Sequence, residues 1–182
     1  MSLIILDRDG VINEDSDDYI KSPDEWIAIP GSADAIARLC QAGYRVAVAT
    51  NQSGVGRGYF DLDTLAAIHD KMCATVESAG GHIDGIFFCP HAPEDGCDCR
   101  KPKPGLIDQI QESFDTDVAG CVIVGDSARD LECGVQRGCR PVLVKTGKGE
   151  RTLAKGLASS LGHVPVFDDL AAVVDALLEG SL

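Results

Sequence analysis

The segment Leu3-Ile4-Ile5-Leu6-Asp7-Arg8-Asp9-Gly10-Val11 joins four consecutive apolar residues to two carboxylates that are two positions apart. An apolar run that stops at charged residues is typical of a strand in a parallel sheet, because such strands are covered on both faces. Ligands of open parallel sheets bind beyond the carboxyl ends of the strands. The segment therefore predicts a buried first strand that presents Asp7 and Asp9 to a ligand.

Similar apolar runs alternate with helix-period stretches along the rest of the chain. Further strands are predicted at residues 44–49, 83–89, 121–124 and 141–145, with a short sixth at 164–167. Helices are predicted at 32–41, 61–80, 106–114, 126–138 and from 168 onward. Strands that alternate with helices need crossover connections. The pattern therefore predicts an α/β protein with a Rossmann-like, doubly wound parallel sheet.

The bulk composition limits the classes of protein that the chain can belong to. Its 182 residues suit a single domain, predicted here as 1–182, and its apolar content of 45% is that of a globular protein. A formal net charge of -13 argues against general affinity for nucleic acid or anionic membranes. The apolar run near the N-terminus is too short for a signal peptide or a membrane span. A cytoplasmic protein is expected.

The two carboxylates after the first strand have the chemistry that phosphoryl transfer needs. One carboxylate attacks phosphorus to form an acyl phosphate, and a second acid then has to protonate the leaving oxygen. A carboxylate approaching a phosphate is repelled unless a cation lies between them, and Mg²⁺ prefers carboxylate and phosphate oxygens. Asp126 and Asp130, which follow the fourth strand, would complete such a site.

Two further residues lie where the same site needs them. Thr50 ends the second strand and can donate a hydrogen bond to a phosphoryl oxygen, while Lys101 can neutralise negative charge. Any one of these residues alone has an ordinary alternative role, since an aspartate after a strand is usually a turn residue or a helix cap. The ordered set of DxDG, TN, RKP and GDxxxD, each beyond a strand or loop end, favours a catalytic site.

This set of motifs resembles the haloacid dehalogenase-like phosphohydrolase superfamily along nearly all of the chain. The resemblance implies that Asp7 is the nucleophile, Asp9 the general acid and base, and Thr50 and Lys101 phosphate-binding groups. It further implies that Mg²⁺ is held by the Asp7 carboxylate, the Asp9 backbone carbonyl and the Asp126 carboxylate, with Asp130 supporting the metal. No segment is long enough for the large cap domain that many members carry, so loops are expected to select the substrate.

The segment Cys89-Pro90-His91-Ala92-Pro93-Glu94-Asp95-Gly96-Cys97-Asp98-Cys99 carries three thiols and one imidazole within eleven residues. Cys89, His91, Cys97 and Cys99 form a complete Cys₃His set for tetrahedral Zn²⁺, which leaves no open position for water. A structural zinc site is therefore predicted, in preference to a loop with free cysteines. It would order residues 90–105, expected to be the longest irregular segment, and so position the catalytic lysine.

The zinc loop, which runs into C-R-K-P-x-P-G, narrows the resemblance to the D-glycero-D-manno-heptose 1,7-bisphosphate phosphatases and the related histidinol-phosphate phosphatases. The segment 50–60, T-N-Q-S-G-V-G-R-G-Y-F, is similar to the heptose enzymes. A bisphosphate needs a binding group for its second phosphate, and a guanidinium can bind phosphate through two hydrogen bonds. The predicted substrate-binding residues are Asn51, Gln52, Ser53, Arg57 and Arg100. The resemblance implies removal of the 7-phosphate in supplying heptose for lipopolysaccharide.

Other functions remain open at this stage. The chain can be a phosphatase of histidinol phosphate or another small monoester, or a zinc-stabilised protein that binds a phosphorylated metabolite without turnover. A module that binds polynucleotide ends fits poorly, because the chain lacks interleaved basic and aromatic residues. The expected partner is a small phosphorylated sugar, with no nucleic acid and no membrane, and the chain is expected to be a monomer.

Overall fold

The computed structural model describes residues 2–182, and within them six strands form one fully parallel sheet. The strands are β1 (Leu3–Leu6), β2 (Arg45–Asn51), β3 (Gly85–Cys89), β4 (Val122–Gly125), β5 (Arg140–Val144) and β6 (Val166–Phe167). Their order across the sheet is β3-β2-β1-β4-β5-β6. The chain therefore winds outward in both directions from β1 and β4, which are neighbours at the centre, and the predicted doubly wound sheet is confirmed.

Seven α-helices connect or cover these strands within the same residues. They are α1 (Ser32–Gln41), α2 (Ser53–Gly56), α3 (Leu62–Ser78), α4 (Gly105–Phe114), α5 (Ala128–Val135), α6 (Gly149–Lys155) and α7 (Leu170–Leu178). Short 3₁₀ turns lie at Pro23–Glu25, Pro93–Asp95 and Ser159–Leu161.

The two faces of the sheet are covered by different helices because successive side chains of a strand point in opposite directions. Ile4 and Leu6 of β1 pack in one apolar cluster with residues of α1, α3 and α7. Leu3 and Ile5 pack in a second cluster with residues of α4 and α5. All four β1 side chains are buried, which explains why the strand reads as a continuous apolar run.

The differences from the sequence prediction lie in the connections. Helices α2 and α6 were not predicted, because four and seven residues are too few to show a clear apolar period. Residues 90–105 were expected to be the longest irregular segment, and this was wrong. Residues 7–31 are longer and contain only one 3₁₀ turn. Their apolar residues, such as Ile12 and Trp26, are buried in the core from loop positions rather than at helical or strand spacing.

No large inserted domain interrupts residues 2–182, as expected from the lengths of the connections. Among the same residues, no helix combines the length and the apolar character needed to cross a membrane.

The N-terminal cap of α7 provides a test of how this helix contributes to stability. Asp169 accepts a hydrogen bond from the backbone N–H of Ala172 at 2.9 Å, and α7 buries Leu170, Val173 and Val174. Loss of such a cap costs about 1 kcal/mol, so Asp169→Ala should lower the Tm by about 2–4 °C in thermal denaturation. The control is Asp168→Ala, which removes the same charge from an exposed neighbour. Equal effects of both substitutions would contradict the capping role.

Candidate active site and metal centres

The predicted catalytic residues meet at the carboxyl edge of the sheet. Asp7 follows β1, Asp126 follows β4, Thr50 lies near the end of β2, and Lys101 precedes α4. Because β1 lies between β2 and β4, the ends of these three strands are adjacent. A polar cavity of about 80 Å³ opens there, lined by Asp7, Asp9, Asp15, Thr50, Asn51, Lys101, Asp126, Ser127, Arg129, Asp130 and Lys148.

Lys101 is buried at the floor of this cavity and pairs with two carboxylates. Its Nζ donates to Asp7 Oδ1 at 3.0 Å and to Asp130 Oδ1 at 2.7 Å, and also to the carbonyl of Ala49 at 2.8 Å. Burial by itself lowers the pKa of a lysine, but the two carboxylates outweigh it and raise the pKa of Lys101 above its usual value. Lys101 is therefore permanently charged and fully hydrogen-bonded.

The carboxylates outnumber this cation, and two of them hold their protons unusually tightly. Burial and the charge of Asp130 raise the pKa of Asp7 to about 7, although Lys101 opposes the shift. Burial and the charges of Asp130 and Asp7 raise the pKa of Asp126 to about 9. Such shifts indicate negative charge without a counter-ion, which a bound cation would neutralise.

The hydrogen bonds leave one oxygen of each of these two carboxylates free. Asp7 Oδ1 accepts from the backbone N–H of Arg8 and from Lys101, and Asp126 Oδ2 accepts from the backbone N–H of Lys148. Within residues 2–182, no group donates to Asp7 Oδ2 or Asp126 Oδ1. Carboxylate oxygens of Asp7, Asp126 and Asp130 lie within 4.8 Å of one another. The free oxygens of Asp7 and Asp126 fit a hard divalent cation.

Asp130 has both oxygens occupied and so has a different role in the cluster. Its Oδ1 pairs with Lys101, while its Oδ2 accepts from the backbone N–H groups of Asp126 and Ser127 and from the Ser127 hydroxyl. Burial raises its pKa, but Lys101 and these donors hold the pKa below its usual value. Asp130 thus holds Lys101 and the backbone that carries Asp126.

Asp9 lies beside this cluster with its carboxylate held by side chains. Asp9 Oδ1 accepts from Arg8 Nε at 3.0 Å and from Asn13 Nδ2 at 2.9 Å. Its Oδ2 accepts from Gln52 Nε2 at 3.0 Å, which also donates to Thr50 Oγ1. Partial burial raises the pKa of Asp9, yet Arg8 and Asn13 hold it below its usual value. Asp9 and Thr50 therefore share Gln52, which was predicted to bind substrate.

Two glycines let the backbone approach Asp126 closely. Gly10 has a φ of +86° and Gly147 a φ of +57°, which only glycine adopts freely. A Cβ atom at either position would collide with the Asp126 carboxylate. Glycine at these two positions is thus a steric condition for the cluster.

A second cavity of about 200 Å³ adjoins the first on its outer side. It is lined by Asp9, Asp15, Ser16, Asp17, Tyr19, Ile20, Asn51, Gln52, Ser53, Arg100, Arg129 and Lys148. Asn51, Gln52, Ser53 and Arg100 were named from the sequence, and all four contribute to this wall. Arg129 and Lys148 were missed, because each lies four positions after the end of a strand rather than directly after it.

Arg57 does not line either of these two cavities. Its Nε donates to Ser53 Oγ at 3.4 Å, and Ser53 lines the outer cavity. Burial lowers the pKa of the Arg100 guanidinium, as do the positive charges of Arg129 and Arg57. The three guanidinium groups are therefore near enough to interact electrostatically at the edge of the outer cavity.

The predicted zinc ligands converge in the loop after β3. Cys89 Sγ lies 2.8 Å from Cys99 Sγ and 3.6 Å from Cys97 Sγ, and His91 Nδ1 lies 3.3 Å from Cys99 Sγ. All four ligand atoms fall within 4.8 Å of one another. Burial raises the pKa of Cys97, but the backbone N–H of Arg100 and the neighbouring thiols lower it to about 6. Three sulfurs and one nitrogen gathered in this way are the donor set of a tetrahedral Zn²⁺.

The sulfur cluster is connected to Lys101 through the backbone. Cys99 is two residues from Lys101, whose backbone N–H donates to Asn51 Oδ1 at 3.0 Å and whose carbonyl accepts from Asn51 Nδ2 at 3.2 Å. The backbone N–H of Gln52 in turn donates to the carbonyl of Cys89 at 2.8 Å. The loop and the end of β2 thus hold each other in place.

Comparison with known proteins identifies relatives of this chain. A family model described as "HAD-hyrolase-like" matches residues 98–173. The chain is 60% identical to the D-glycero-beta-D-manno-heptose-1,7-bisphosphate 7-phosphatase of Pseudomonas aeruginosa over 178 residues. This alignment covers 98% of this chain and 98% of that protein.

Two solved structures are similar over nearly the whole length of both chains. The first is the D,D-heptose 1,7-bisphosphate phosphatase of Bordetella bronchiseptica complexed with magnesium and phosphate. It has a TM-score of 0.94 and 57% identity and covers 99% of each chain. The corresponding enzyme of Burkholderia thailandensis has a TM-score of 0.76 and 47% identity and covers 98% of this chain and 99% of its own. The chain belongs to the D-glycero-D-manno-heptose-1,7-bisphosphate 7-phosphatase family.

Proposed function

We propose that this protein is a Mg²⁺-dependent phosphatase that removes the 7-phosphate of D-glycero-D-manno-heptose 1,7-bisphosphate and leaves heptose 1-phosphate. The observation that carries the proposal is the position of Asp7, whose carboxylate lies between Lys101 and Asp126 with Asp9 alongside. Relatives that share 55–60% of their residues with this chain carry this activity in their names. We also propose that residues 1–182 form one phosphatase domain, although residue 1 lies outside the described part.

The first chemical step is attack by an oxygen of Asp7 on phosphorus. The bond between phosphorus and the sugar oxygen breaks, and Asp9 gives its proton to that oxygen as the alcohol leaves. The free Asp9 carboxyl has a lowered pKa, but the negative charge of a bound phosphate raises it toward the protonated form. Thr50 donates a hydrogen bond to the phosphoryl group and Lys101 neutralises its charge.

The second step returns both carboxylates to their starting state. Asp9, now ionised, accepts a proton from a water molecule whose oxygen attacks the phosphorus of the aspartyl phosphate. The bond between phosphorus and the Asp7 oxygen breaks, which releases inorganic phosphate and the Asp7 carboxylate. One residue thus acts as acid and then as base, which the proximity of Asp9 to the same cavity permits.

Mg²⁺ would be held by the carboxylates of Asp7 and Asp126 and by the backbone carbonyl of Asp9. When bound, it supplies positive charge that reduces the repulsion between the Asp7 carboxylate and the phosphate. The free oxygens on Asp7 and Asp126 and the raised pKa values of both carboxyls support this assignment. Asp130 has no free oxygen for the metal and would keep Asp126 and Lys101 in place.

Two isosteric substitutions separate the nucleophile from the proton donor. Asp7→Asn should abolish phosphate release, because an amide is a poor nucleophile and a weaker magnesium ligand. Asp9→Asn should lower kcat/KM about 10²–10⁴-fold, since it removes general acid and base catalysis but keeps the backbone carbonyl. Release of phosphate from the sugar bisphosphate would be measured, with the exposed Asp24→Asn as the matched control. Near-normal turnover by Asp7→Asn would contradict the mechanism.

We propose that the phosphate that is not removed binds in the outer cavity, against Arg100 and Arg129. Both side chains line this cavity, as does Lys148, whose Nζ is paired with Asp15 Oδ2 at 3.2 Å. Arg100 Nη1 is buried and makes no hydrogen bond within residues 2–182, so it has a donor to offer a ligand. Arg57, predicted from the sequence to share this role, would reinforce the clamp from its edge through Ser53. Asp9, Asp15 and Asp17 line the same cavity, so the proposal rests on the two guanidinium groups rather than on a net positive charge of the cavity.

The clamp is tested by comparing a sugar bisphosphate with a small monophosphate. A charged hydrogen bond contributes about 1.5–3 kcal/mol, so Arg100→Ala and Arg129→Ala should each lower kcat/KM for the bisphosphate about 10–100-fold. The monophosphate should be little affected, because it has no second phosphate. Arg137→Ala, which removes an exposed arginine paired with Asp108, is the control. The same comparison with Arg57→Ala determines whether Arg57 belongs to the clamp.

Other results of the comparison between bisphosphate and monophosphate would change the proposed roles of these arginines or the proposed substrate. An equal loss on both substrates would mean that these arginines serve the reacting phosphate or the fold. A wild-type preference for histidinol phosphate over heptose bisphosphate in the same assay would favour the related monoester phosphatases instead. Binding of the bisphosphate without release of phosphate would favour the non-catalytic alternative.

We also propose that Cys89, His91, Cys97 and Cys99 hold a structural Zn²⁺. All four positions of a tetrahedral ion would be filled by protein ligands, so the metal would act by ordering the loop rather than by activating water. The ordered loop would in turn fix the backbone of Lys101, which also hydrogen-bonds the Asn51 side chain. Zinc binding needs reduced thiols, which favours a cytoplasmic location. The monomeric state expected from the sequence stays a prediction.

Elemental analysis tests the zinc site. Protein prepared without chelator should contain about one zinc per chain, as a single Cys₃His set requires, and Cys97→Ser or Cys99→Ser should lower that content. Phosphatase activity should fall in the same variants, because the loop no longer holds Lys101. Cys73→Ser, which changes a half-buried cysteine on α3, is the control and should keep its zinc. Absence of zinc from the wild-type protein would overturn the assignment.

A further inference from the structure

Arg8, the residue between the two catalytic aspartates, has a fully buried side chain. Its Nε donates to Asp9 Oδ1 at 3.0 Å, and its Nη2 lies 2.9 Å from the same oxygen. Its Nη1 lies 3.1 Å from Nε2 of His69. A guanidinium is planar and rigid, so holding it at two edges fixes its orientation. Arg8 is thus held between Asp9 on one side and His69 on the other.

His69 is a buried histidine that the proposed mechanism does not otherwise use. It comes from the middle of α3, is 7% exposed, and packs against Phe88 with a ring separation of 5.9 Å. Burial and the charge of Arg8 lower the pKa of His69 to about 4, although Asp9 opposes the shift. A neutral ring next to a guanidinium accepts the hydrogen bond at Nε2, which places its own proton on Nδ1.

The orientation of the Asp9 carboxylate depends on three side-chain donors. Arg8 and Asn13 hold Oδ1, and Gln52 holds Oδ2. Gln52 lines the outer cavity, whereas Arg8 and Asn13 are both fully buried. Of the two buried donors, Arg8 is also bound by a side chain of another element, His69 of α3, whereas the second contact of the Asn13 amide is to the backbone carbonyl of Glu14.

We propose that His69 is a positioning residue for proton transfer: by accepting a hydrogen bond from Arg8, it holds the Arg8 guanidinium in the orientation that aims the Asp9 carboxylate at the substrate. The inference rests on the proposed role of Asp9 as general acid and base. His69 itself touches neither substrate nor metal ligand and acts only through Arg8. A histidine that merely fills the core would have no effect on proton transfer, so the two roles predict different changes in kcat/KM when His69 is replaced.

Substrates with different leaving groups distinguish a positioning role of His69 from a purely structural one. A sugar alcohol needs a proton as it leaves, whereas the phenolate of an aryl phosphate such as p-nitrophenyl phosphate leaves with little help. His69→Phe keeps a ring but loses the acceptor, and should lower kcat/KM for the sugar bisphosphate about tenfold, a part of the 10²–10⁴ that general acid–base catalysis supplies. The kcat/KM for the aryl phosphate should change by less than about twofold. This parameter reports the step in which the leaving group departs.

Two further variants serve as rescue and control. His69→Gln restores an acceptor and should recover most of the lost kcat/KM on the sugar bisphosphate. Ile68→Val removes one methylene from a fully buried neighbour on the same helix and has no hydrogen bond to change. It should leave the ratio of the two substrates unaltered. Equal losses on both substrates in His69→Phe, no loss on either, or no rescue by glutamine would overturn the proposal.

A measurement on the wild-type protein keeps the test decisive if His69→Phe does not fold. Nitrogen-15 NMR of the histidine rings at pH 7 should show His69 neutral, with Nδ1 protonated and Nε2 bare. A protonated Nε2 or a charged ring would overturn the proposal, because neither can accept from Arg8. If the wild type released no phosphate from any substrate, the proposed function would fail, whereas the NMR result would still decide whether His69 accepts from Arg8.

Discussion

Lys101 is buried between the carboxylates of Asp7 and Asp130, and the rest of the site depends on this ion pair. Burial of a charge is unfavourable unless the charge is paired and hydrogen-bonded, and Lys101 satisfies both conditions with three acceptors. The pair connects β1, the loop before α4 and the start of α5. It cannot form unless all three segments are in place, which makes the catalytic geometry a direct consequence of the completed fold.

One buried cation does not balance the carboxylates that surround it. Asp7 and Asp126 keep raised pKa values because Lys101 is already shared with Asp130. This residual negative charge is unfavourable in the metal-free protein and becomes a source of affinity when a divalent cation binds. An acidic chain can still bind an anionic group, because Arg100 and Arg129 supply positive charge locally at the adjoining cavity, although the net charge is -13.

The surrounding residues divide into those that react and those that hold them. Asn51 connects the sulfur cluster to Lys101, Asp130 holds the backbone of Asp126, and His69 holds Arg8. In each pair the supporting residue comes from a different element than the residue it supports. Reacting groups placed within a fraction of an ångström require such support, since flexible side chains lose their orientation otherwise.

The sequence by itself determined the features that depend on short separations along the chain. The apolar run before Asp7 predicted a central strand, and the parallel fold placed the ends of β1, β2 and β4 at one edge. The four zinc-type ligands were recognisable because they lie within eleven residues. Only the tertiary structure decided which distant residues meet. Arg129 and Lys148 line the outer cavity, and His69 of α3 contacts Arg8 although the two residues are 61 positions apart, and neither arrangement has a local sequence pattern. An arginine that lines a cavity has the same sequence signature as an arginine exposed to solvent. Likewise, a histidine that supports the site cannot be distinguished from one that only fills the core, because only the contacts in space differ.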